Sequence, residues 1–540
     1  MHPNLTIQIE KLTSIGISLS SERNHIKLME KILLGAKELT NADGGTLYRV
    51  EDNCLVFEIL RTDSLNLAMG GTSSNKIKFS PIPLYLENGE PNSKNVSAYA
   101  AVSGETINIP DAYKAEGFDF QGTKRYDEAN KYRSKSFLAV PLKNHENKIV
   151  GILQLLNALD PHSGEVIPFS LEQQKLAESL ASQAAIAITN QQLLDDVRNL
   201  LEKFIEVIAS AIDEKSPYTG GHCRRVPTIA RLLADAVNNN RTGALKDINF
   251  NDKELYELNI AALLHDCGKI TTPVHIVDKA TKLETIFDRL EIIKLRLTNL
   301  KKDKKIALQE ALLQEKNPVI IEALQARYLQ SLQQINEDLD FLQHANKGSE
   351  FMKAEDKIRI EHIAEYEWID FEGKRQKVLK DDEIANLCIE KGTLTTEERK
   401  IINNHIVMTQ KMLDVLPFPD HLKNVPEIAG NHHERMDGKG YPNAISGKDL
   451  SIRARIMCIA DVFEALTAAD RPYKKAMPLS QTLKILEKMK EEGHIDPDLF
   501  QIFIEQEIFQ KYAQDYLTPE QNDLDLPFSQ SSELQKRAAS

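Results

Sequence analysis

With 540 residues, 41% of them apolar and 27% charged, the chain is too long for one ordinary core and is expected to form two or three soluble globular domains. A net charge of −13 excludes a general binder of nucleic acid or of anionic membranes, because attraction to phosphate needs a basic surface. Five scattered cysteines without a CxxC pair, the lack of any apolar run of about 18 residues, and an N-terminus unlike a signal peptide predict a cytoplasmic protein with reduced thiols.

The first elements predict an α+β domain over 1–192. An amphipathic helix around 23–40 offers Ile26, Leu28, Ile32 and Leu33 as its buried face. GTLYRV (45–50) and CLVFEILRT (54–62) flank Glu51-Asp52-Asn53 and predict a hairpin. KSFLAVPLKN (135–144) and KIVGILQLLN (148–157), around His145-Glu146-Asn147, predict a second. From about 171 to 213 the pattern changes to one long helix free of Pro and Gly, whose part 193–213 connects the first domain to the next. Leu194, Val197, Leu201, Phe204, Ile208 and Ile212 recur along it at spacings of three or four, which suits either its own domain or a parallel homodimer seam. Beyond 214 the chain reads as all-α to 517, without an alternating strand run. Within it, 281–380 is expected to be a helical insertion, with two long charged helices broken at Asn317-Pro318 and projecting as a hairpin. The end, 518–540, is polar and expected to be disordered.

Of the fourteen histidines, five lie in short motifs rich in acids, glycine or lysine: GGHCRRV (His222), ALLHDCGK (His265, with Asp266), NNHIVMT (His405) and GNHHERMDGKGYP (His432, His433). His265-Asp266 follows Ala261, Ala262, Leu263 and Leu264, and Asp461 follows Ile456, Met457, Ile459 and Ala460, so both acids should be buried. A buried carboxylate beside imidazoles is expensive unless a cation compensates it. A lone histidine on an apolar helix is more often a hydrogen-bonded core residue, but adjacent His-Asp and His-His pairs strain that explanation. Imidazole with carboxylate suits Fe, Mn, Zn or Ni. Lys269, one turn after Asp266, lies on the same face and is placed to neutralise a phosphate oxygen. The glycine-rich run Glu434–Pro442 can bring its backbone close to a ligand, with Arg435 aimed at a phosphate or a guanine edge; Arg471 and Lys474 are further candidate phosphate contacts.

In order, His222, His265-Asp266, Lys269, His405, His432-His433, Asp437-Gly438-Lys439-Gly440-Tyr441-Pro442 and Asp461 resemble the signature of HD-GYP cyclic dinucleotide phosphodiesterases, over 205–275 and 390–515. The resemblance implies an all-helical HD fold with two divalent metal ions, commonly iron or manganese. It also implies hydrolysis of cyclic di-GMP to the linear dinucleotide or to GMP. It would give one metal His222, His265, Asp266 and Asp461, and the other His405, His432, His433 and a bridging Asp266, with Gly440, Tyr441 and Pro442 near substrate. A third metal in some relatives uses a glutamate where this chain has Tyr218. Thr409 stands where relatives have glycine, and Glu464 where they more often have aspartate. Cyclic GMP-AMP, another nucleotide phosphoester, or a catalytically silent receptor are the competing readings.

SGETINIPDAY (103–113), YRSKSFLAVPLKN (132–144), IVGILQLLN (149–157) and LEQQKLAESLASQAAIAITN (171–190) resemble a GAF domain of cyclic-nucleotide phosphodiesterases and cyclases. Of the Asn-Lys…Phe-x-x-x-Asp-Glu pattern found in some of these, Asn157 and Phe169 remain, while Ala158 and Gln173-Gln174 replace the lysine and the acids. The resemblance implies a sensor for a cyclic nucleotide or another small molecule, or a dimerisation module.

Overall fold

The alternating apolar pattern of the N-terminal strands builds an antiparallel sheet with a core on each face. The computed structural model describes residues 3–215, 221–348, 351–469 and 476–524, and the chain divides into two compact units, 1–201 and 202–540.

In the first unit the strands are β1 (Ala42–Glu51), β2 (Cys54–Thr62), β3 (Leu67–Gly70), β4 (Ile82–Pro83), β5 (Ile107–Ile109), β6 (Phe137–Lys143), β7 (Ile149–Leu159) and β8 (Val166–Ile167). They are ordered β3-β2-β1-β7-β6-β5, with β4 on β2 and β8 on β7. Both expected hairpins form, β1 with β2 and β6 with β7. Side chains alternate between faces along a strand. Leu138 and Val140 of β6, with Leu153 and Leu155 of β7, face one core; Phe137, Ala139 and Ile152 face the other. Helices α1 (Pro3–Ser21), α2 (His25–Thr40) and the start of a later long helix cover the first face, and α3 (Val96–Ser103) covers the second, with α4 (Gln121–Asn130) next in sequence. On α2 the stripe is Leu28, Met29, Ile32, Leu33 and Ala36, and Ile26 is 52% exposed. Met29, not Ile26, continues the helical spacing.

Asn157 closes the β6–β7 ladder in a left-handed conformation, φ 53°. Its buried side chain accepts from the N–H of Lys135 (2.7 Å) and Ser136 (3.3 Å) and donates to Tyr132 Oη (2.8 Å) and to the Arg133 carbonyl (2.9 Å).

The long helix α5 runs from Leu171 to Lys215. Of the stripe expected along it, Leu194, Val197 and Phe204 are exposed and Ile212 is buried. The continuous exposed stripe is Leu193, Val197, Leu200, Phe204 and Val207, whereas Ile205, Ala209 and Ile212 face inward. The offset arises because regular spacing carries the expected stripe on to Ile212, which belongs to the inward face.

The second unit opens with α6 (His222–Asn239) and α7 (Asp252–Leu264), followed by a 3-10 turn (Cys267–Thr271) and α8 (Val274–Val277). Then come α9 (Leu290–Gln314), α10 (Pro318–Asn346), α11 (Ala354–Ala364), α12 (Asp381–Leu387), α13 (Thr396–Asp414), α14 (Val425–Gly430) and α15 (Ile452–Thr467). Three helices end it, α16 (Leu479–Glu491), α17 (Pro497–Glu505) and α18 (Ile508–Tyr516). Helix α6 lies against α7 and α15, and α13 against the 3-10 turn and α14. A capping box of Asn251 with Glu254 starts α7, and one of Thr395 with Glu398 starts α13.

Asn317-Pro318 breaks α9 from α10, with Asn317 capping and Pro318 in the first turn. These two helices share a separate core with α11 and α12 through Ile293, Leu297, Ile335, Leu342, Ile360 and Leu387. The expectation of no strands beyond 214 needs correction: β9 (Glu367–Ile369) and β10 (Arg375–Lys377) form a small hairpin. Three-residue strands with mostly exposed side chains leave no alternating signal. Among the described residues no helix is long and apolar enough to cross a membrane. The disorder expected from 518 needs correction as far as 524: Gln521 is buried, donates to the Thr467 carbonyl (2.8 Å) and accepts the Leu479 N–H (2.8 Å), and the tail from 525 on lies outside the described residues.

Replacing Asn157 with alanine removes four hydrogen bonds around two adjoining strands. We expect Asn157→Ala to destabilise the first unit by about 3 kcal/mol, read as faster hydrogen exchange of the β6 and β7 amides.

Candidate metal centre

Five separate stretches of the helical unit meet at one point, three at a helix end and two in mid-helix. Helix α7 is buried through Ala261, Ala262 and Leu264, and the chain leaves it at His265 and Asp266. Asp266 then caps the 3-10 turn that carries Lys269. His222 opens α6, behind Gly221 in a left-handed conformation, φ 82°. His405 sits within α13, His432 and His433 come just after the end of α14, and Asp461 lies within α15. Glu257 on α7 accepts from both the backbone and side-chain amides of Asn424 (2.7 and 3.1 Å) and pairs with Arg453, so α7, α14 and α15 keep their mutual positions.

The side chains converge in two groups around one carboxylate. His222 Nε2 and His265 Nε2 are 3.2 Å apart, and each is 3.3 Å from Asp266 Oδ2. Asp461 Oδ1 lies 3.3 Å from His222 Nε2 and 3.8 Å from His265 Nε2. On the opposite side, His405 Nε2 is 3.4 Å from Asp266 Oδ1. His433 and His432 complete that side, their rings 4.1 Å apart, and His433 is 5.2 Å from the ring of His405. The donor atoms of His222, His265 and Asp266, and those of His405, His432 and His433, form two groups each within 4.8 Å.

The other ring nitrogens are already committed. Nδ1 of His265 bonds to the Ala262 carbonyl (2.7 Å), that of His405 to Ile402 (2.5 Å) and that of His432 to Ala429 (2.6 Å). His222 Nδ1 bonds to Glu464, which also takes the Arg225 guanidinium at 2.6 Å. Donating Nδ1 to an acceptor leaves Nε2 with its lone pair directed inward. Asp266 Oδ1, His405 Nε2 and His432 Nε2 are buried without any hydrogen-bond partner. Buried polar atoms seldom stay unpaired, and here they face one another in a set of imidazole and carboxylate donors, so these residues fit divalent cations.

The electrostatics divide along the same line. Burial opposes charge on His265, yet Asp266 and Asp461 overcome it and push its pKa up to about 9; His222 is also raised, by Glu464 and both aspartates. Burial holds His433 down to about 4, and His405 and His432 are likewise lowered by burial. Burial works against the Asp266 carboxylate too, but Lys269 and the neighbouring imidazoles hold it well below the usual range. Lys269 Nζ is 2.5 Å from Asp266 Oδ2.

Around the site, Gly268 allows the 3-10 turn to touch α13: a Cβ there would fall on the His405 carbonyl and the Thr409 backbone. Thr409 accepts the Gly268 N–H at 2.9 Å. Glu434, buried, accepts from Asn443 N (2.7 Å) and Ile445 N (3.0 Å), which folds the loop through Gly440, Tyr441 and Pro442. Gly440 lies against Glu434 and Arg435 backbone with no room for a Cβ, and Tyr441 stacks on His433 with centroids 4.8 Å apart. Arg435 is engaged by Asp437 (3.0 Å) and the Glu492 carbonyl (3.3 Å). Arg471, Lys474 and Tyr218 lie outside the described residues. Sequence reasoning singled out no role for Glu464, Arg225, Glu434 or Glu257. The available signal was Glu464 standing three residues after Asp461 on an apolar helix.

Residues 24–188 match the GAF domain, and 219–327 and 381–499 match HD domain families. The chain therefore carries a GAF domain followed by HD-domain sequence, and HD domains are metal-dependent phosphohydrolases. It is similar to a 3'3'-cGAMP-specific phosphodiesterase of Vibrio cholerae, 38% identical over 119 residues, 22% of this chain and 25% of that one. It is also similar to a cyclic di-GMP phosphodiesterase of Pseudomonas aeruginosa, 33% identical over 113 residues, 21% of this chain and 26% of the other. A cyclic di-GMP phosphodiesterase of Thermotoga maritima is 31% identical over 131 residues, 24% of this chain and 35% of that one. The matches thus span a quarter to about a third of these relatives' length.

Gly268→Ala must push the 3-10 turn away from α13 and separate Asp266 from His405. We expect metal content to fall and stability to drop by about 1–3 kcal/mol, measured by elemental analysis and urea unfolding.

Proposed function

We propose that the chain is a metal-dependent phosphodiesterase acting on a cyclic dinucleotide, with its helical unit as the catalytic part. The observation that carries this reading is the shared Asp266, whose Oδ2 meets His222 and His265 and whose Oδ1 meets His405. In this reading one divalent ion is held by His222, His265, Asp266 and Asp461, the other by Asp266, His405, His432 and His433, with iron or manganese favoured by the resemblance. Such ions would supply Lewis acidity toward a phosphodiester and an activated water at neutral pH. The chain's own part is to hold the donors in place, exclude bulk water by burying them, and present Lys269 to the charge that grows on phosphorus. The stacking of Tyr441 on His433 supports a substrate-contacting role for the Gly440–Pro442 loop. The product would be the linear dinucleotide, or GMP after a second cleavage. Cyclic di-GMP is the first substrate to test, and 3'3'-cGAMP the second, because a relative specific for the latter is 38% identical over its matched stretch.

The GAF unit is proposed as a sensor of a cyclic nucleotide or another small molecule. The exposed stripe Leu193, Val197, Leu200, Phe204 and Val207 supports a homodimer. These residues alternate spacings of four and three, the repeat of a two-helix seam. Val197→Asp combined with Phe204→Asp should turn a dimer into a monomer in light scattering.

The deciding experiment offers the purified chain, with its metal content measured, a panel of cyclic mono- and dinucleotides. Turnover of none of them would sink the reading. Asp266→Ala should lose at least one metal equivalent and all hydrolysis, since among the described residues Asp266 is the carboxylate within 3.4 Å of both groups of histidines. Lys269→Ala should keep its metals and lose on the order of 10²–10³ in kcat.

A further inference from the structure

The last turn of α5 ends on the two backbone segments that carry His222 and Lys269. Asp213 is buried, and its two carboxylate oxygens accept from the N–H of Gly221 (3.1 Å) and of Cys223 (3.3 Å), on either side of His222. These are donors at the start of α6, where Gly221 offers no side-chain cap. An anion from another helix therefore caps α6 and meets the positive end of its dipole.

Lys215, two residues further on, does the converse. Its Nζ donates to the carbonyls of Lys269 (2.9 Å), Ile270 and Thr272 (2.6 Å). These carbonyls close the 3-10 turn that begins at Asp266 and contains Lys269. An ammonium has three protons to donate, and three carbonyls receive them. The cation thus sits at the carbonyl end of the turn, where the dipole favours it. Meanwhile Ile205, Ala209 and Ile212 bury the inward face of the same helix end.

We infer that Asp213 and Lys215 are positioning residues that fasten the end of the long helix to the catalytic turns, so that a displacement of α5 shifts His222 and Lys269. This rests on the proposed phosphodiesterase reading. It adds how that site is steadied, and through which contacts a signal carried by α5 reaches it. Neither residue touches a proposed ligand side chain; both act on backbone.

The test uses the full chain loaded with manganese. Lys215→Met keeps the aliphatic stem and removes the three donors. It should retain manganese, lower kcat on cyclic di-GMP by roughly tenfold with KM within about twofold, and speed amide exchange over Ile270–Thr272. Lys215→Arg, which restores a multiple donor, should recover most of both effects. Asp213→Asn leaves one acceptor oxygen and should weaken manganese binding by on the order of tenfold, as loss of a group supporting a ligand does. Wild-type kcat and unchanged exchange in Lys215→Met would overturn the role of Lys215. Unchanged manganese affinity in Asp213→Asn would overturn that of Asp213. Should Lys215→Met fail to fold, Lys215→Gln replaces it with the same readouts. If the unaltered chain hydrolyses no cyclic dinucleotide, the functional reading fails, while exchange and manganese binding in the variants still decide the positioning claim.

Discussion

The helical unit is organised by one costly act, the burial of the Asp266 carboxylate. At 1% exposure it has lost nearly all its water, and an ionised carboxylate in that position needs compensation from several directions. The fold provides it from α6, α7, α13 and the 3-10 turn through His222, His265, His405 and Lys269. One helix could not deliver all of them, because only residues three or four apart share a face and the rest spread along the axis. The convergence of several helix ends follows from that requirement. So does the smallness of Gly268, since only a side chain of no volume lets the turn approach α13 closely enough for Asp266 to meet His405.

The imidazoles are oriented by one repeated device. His265, His405 and His432 each bond Nδ1 to the carbonyl three residues earlier in the chain, so local backbone fixes the ring and the tautomer. His222 is the first residue of α6 and has no preceding helical turn to offer such a carbonyl. Glu464 takes its place from α15, and Arg225, one turn along α6, balances the charge that this carboxylate brings. The departure at position 464 is thereby explained: the longer glutamate spans from α15 to both partners. The same network pushes the pKa of His222 and His265 up, whereas burial pulls those of His405, His432 and His433 down.

Much of this was legible in the chain itself. Adjacent His-Asp and His-His pairs behind apolar runs announce buried polar groups, and the paired hairpins of the N-terminal unit follow from alternation and turn residues. Tertiary substitutions left less trace. Glu464 reads as an ordinary helical acid until α6 is placed opposite it. Spacing alone draws Leu201 and Ile208, which are half-buried, and the buried Ile212 into the stripe on α5, because periodicity marks apolar faces without telling which of two is already buried. The hairpin of β9 and β10 escapes a sequence reading because its three-residue strands are exposed and its order comes from Asp370, whose carboxylate accepts the Glu372 and Lys374 amides.

The two apolar faces of α5 limit how a signal could travel along it. Ile205, Ala209 and Ile212 are buried, so the last turns cannot rotate freely without exposing them. Each of the two isoleucines resists exposure by about 1.5–3 kcal/mol, so exposing both costs as much as or more than a typical coupling free energy between sites of about 1–3 kcal/mol. Small translations are cheaper, since they strain hydrogen bonds before they break packing. The contacts that register a small translation are those of Asp213 and Lys215, an acid on an amide end and an ammonium on a carbonyl end. Both lie on backbone that leads into His222 and Lys269, while His405, His432 and His433 hang from helices that α5 does not cap. A shift of α5 would therefore act first on His222 and on the 3-10 turn of Asp266 and Lys269, and reach His405 only through the contact of Gly268 with α13.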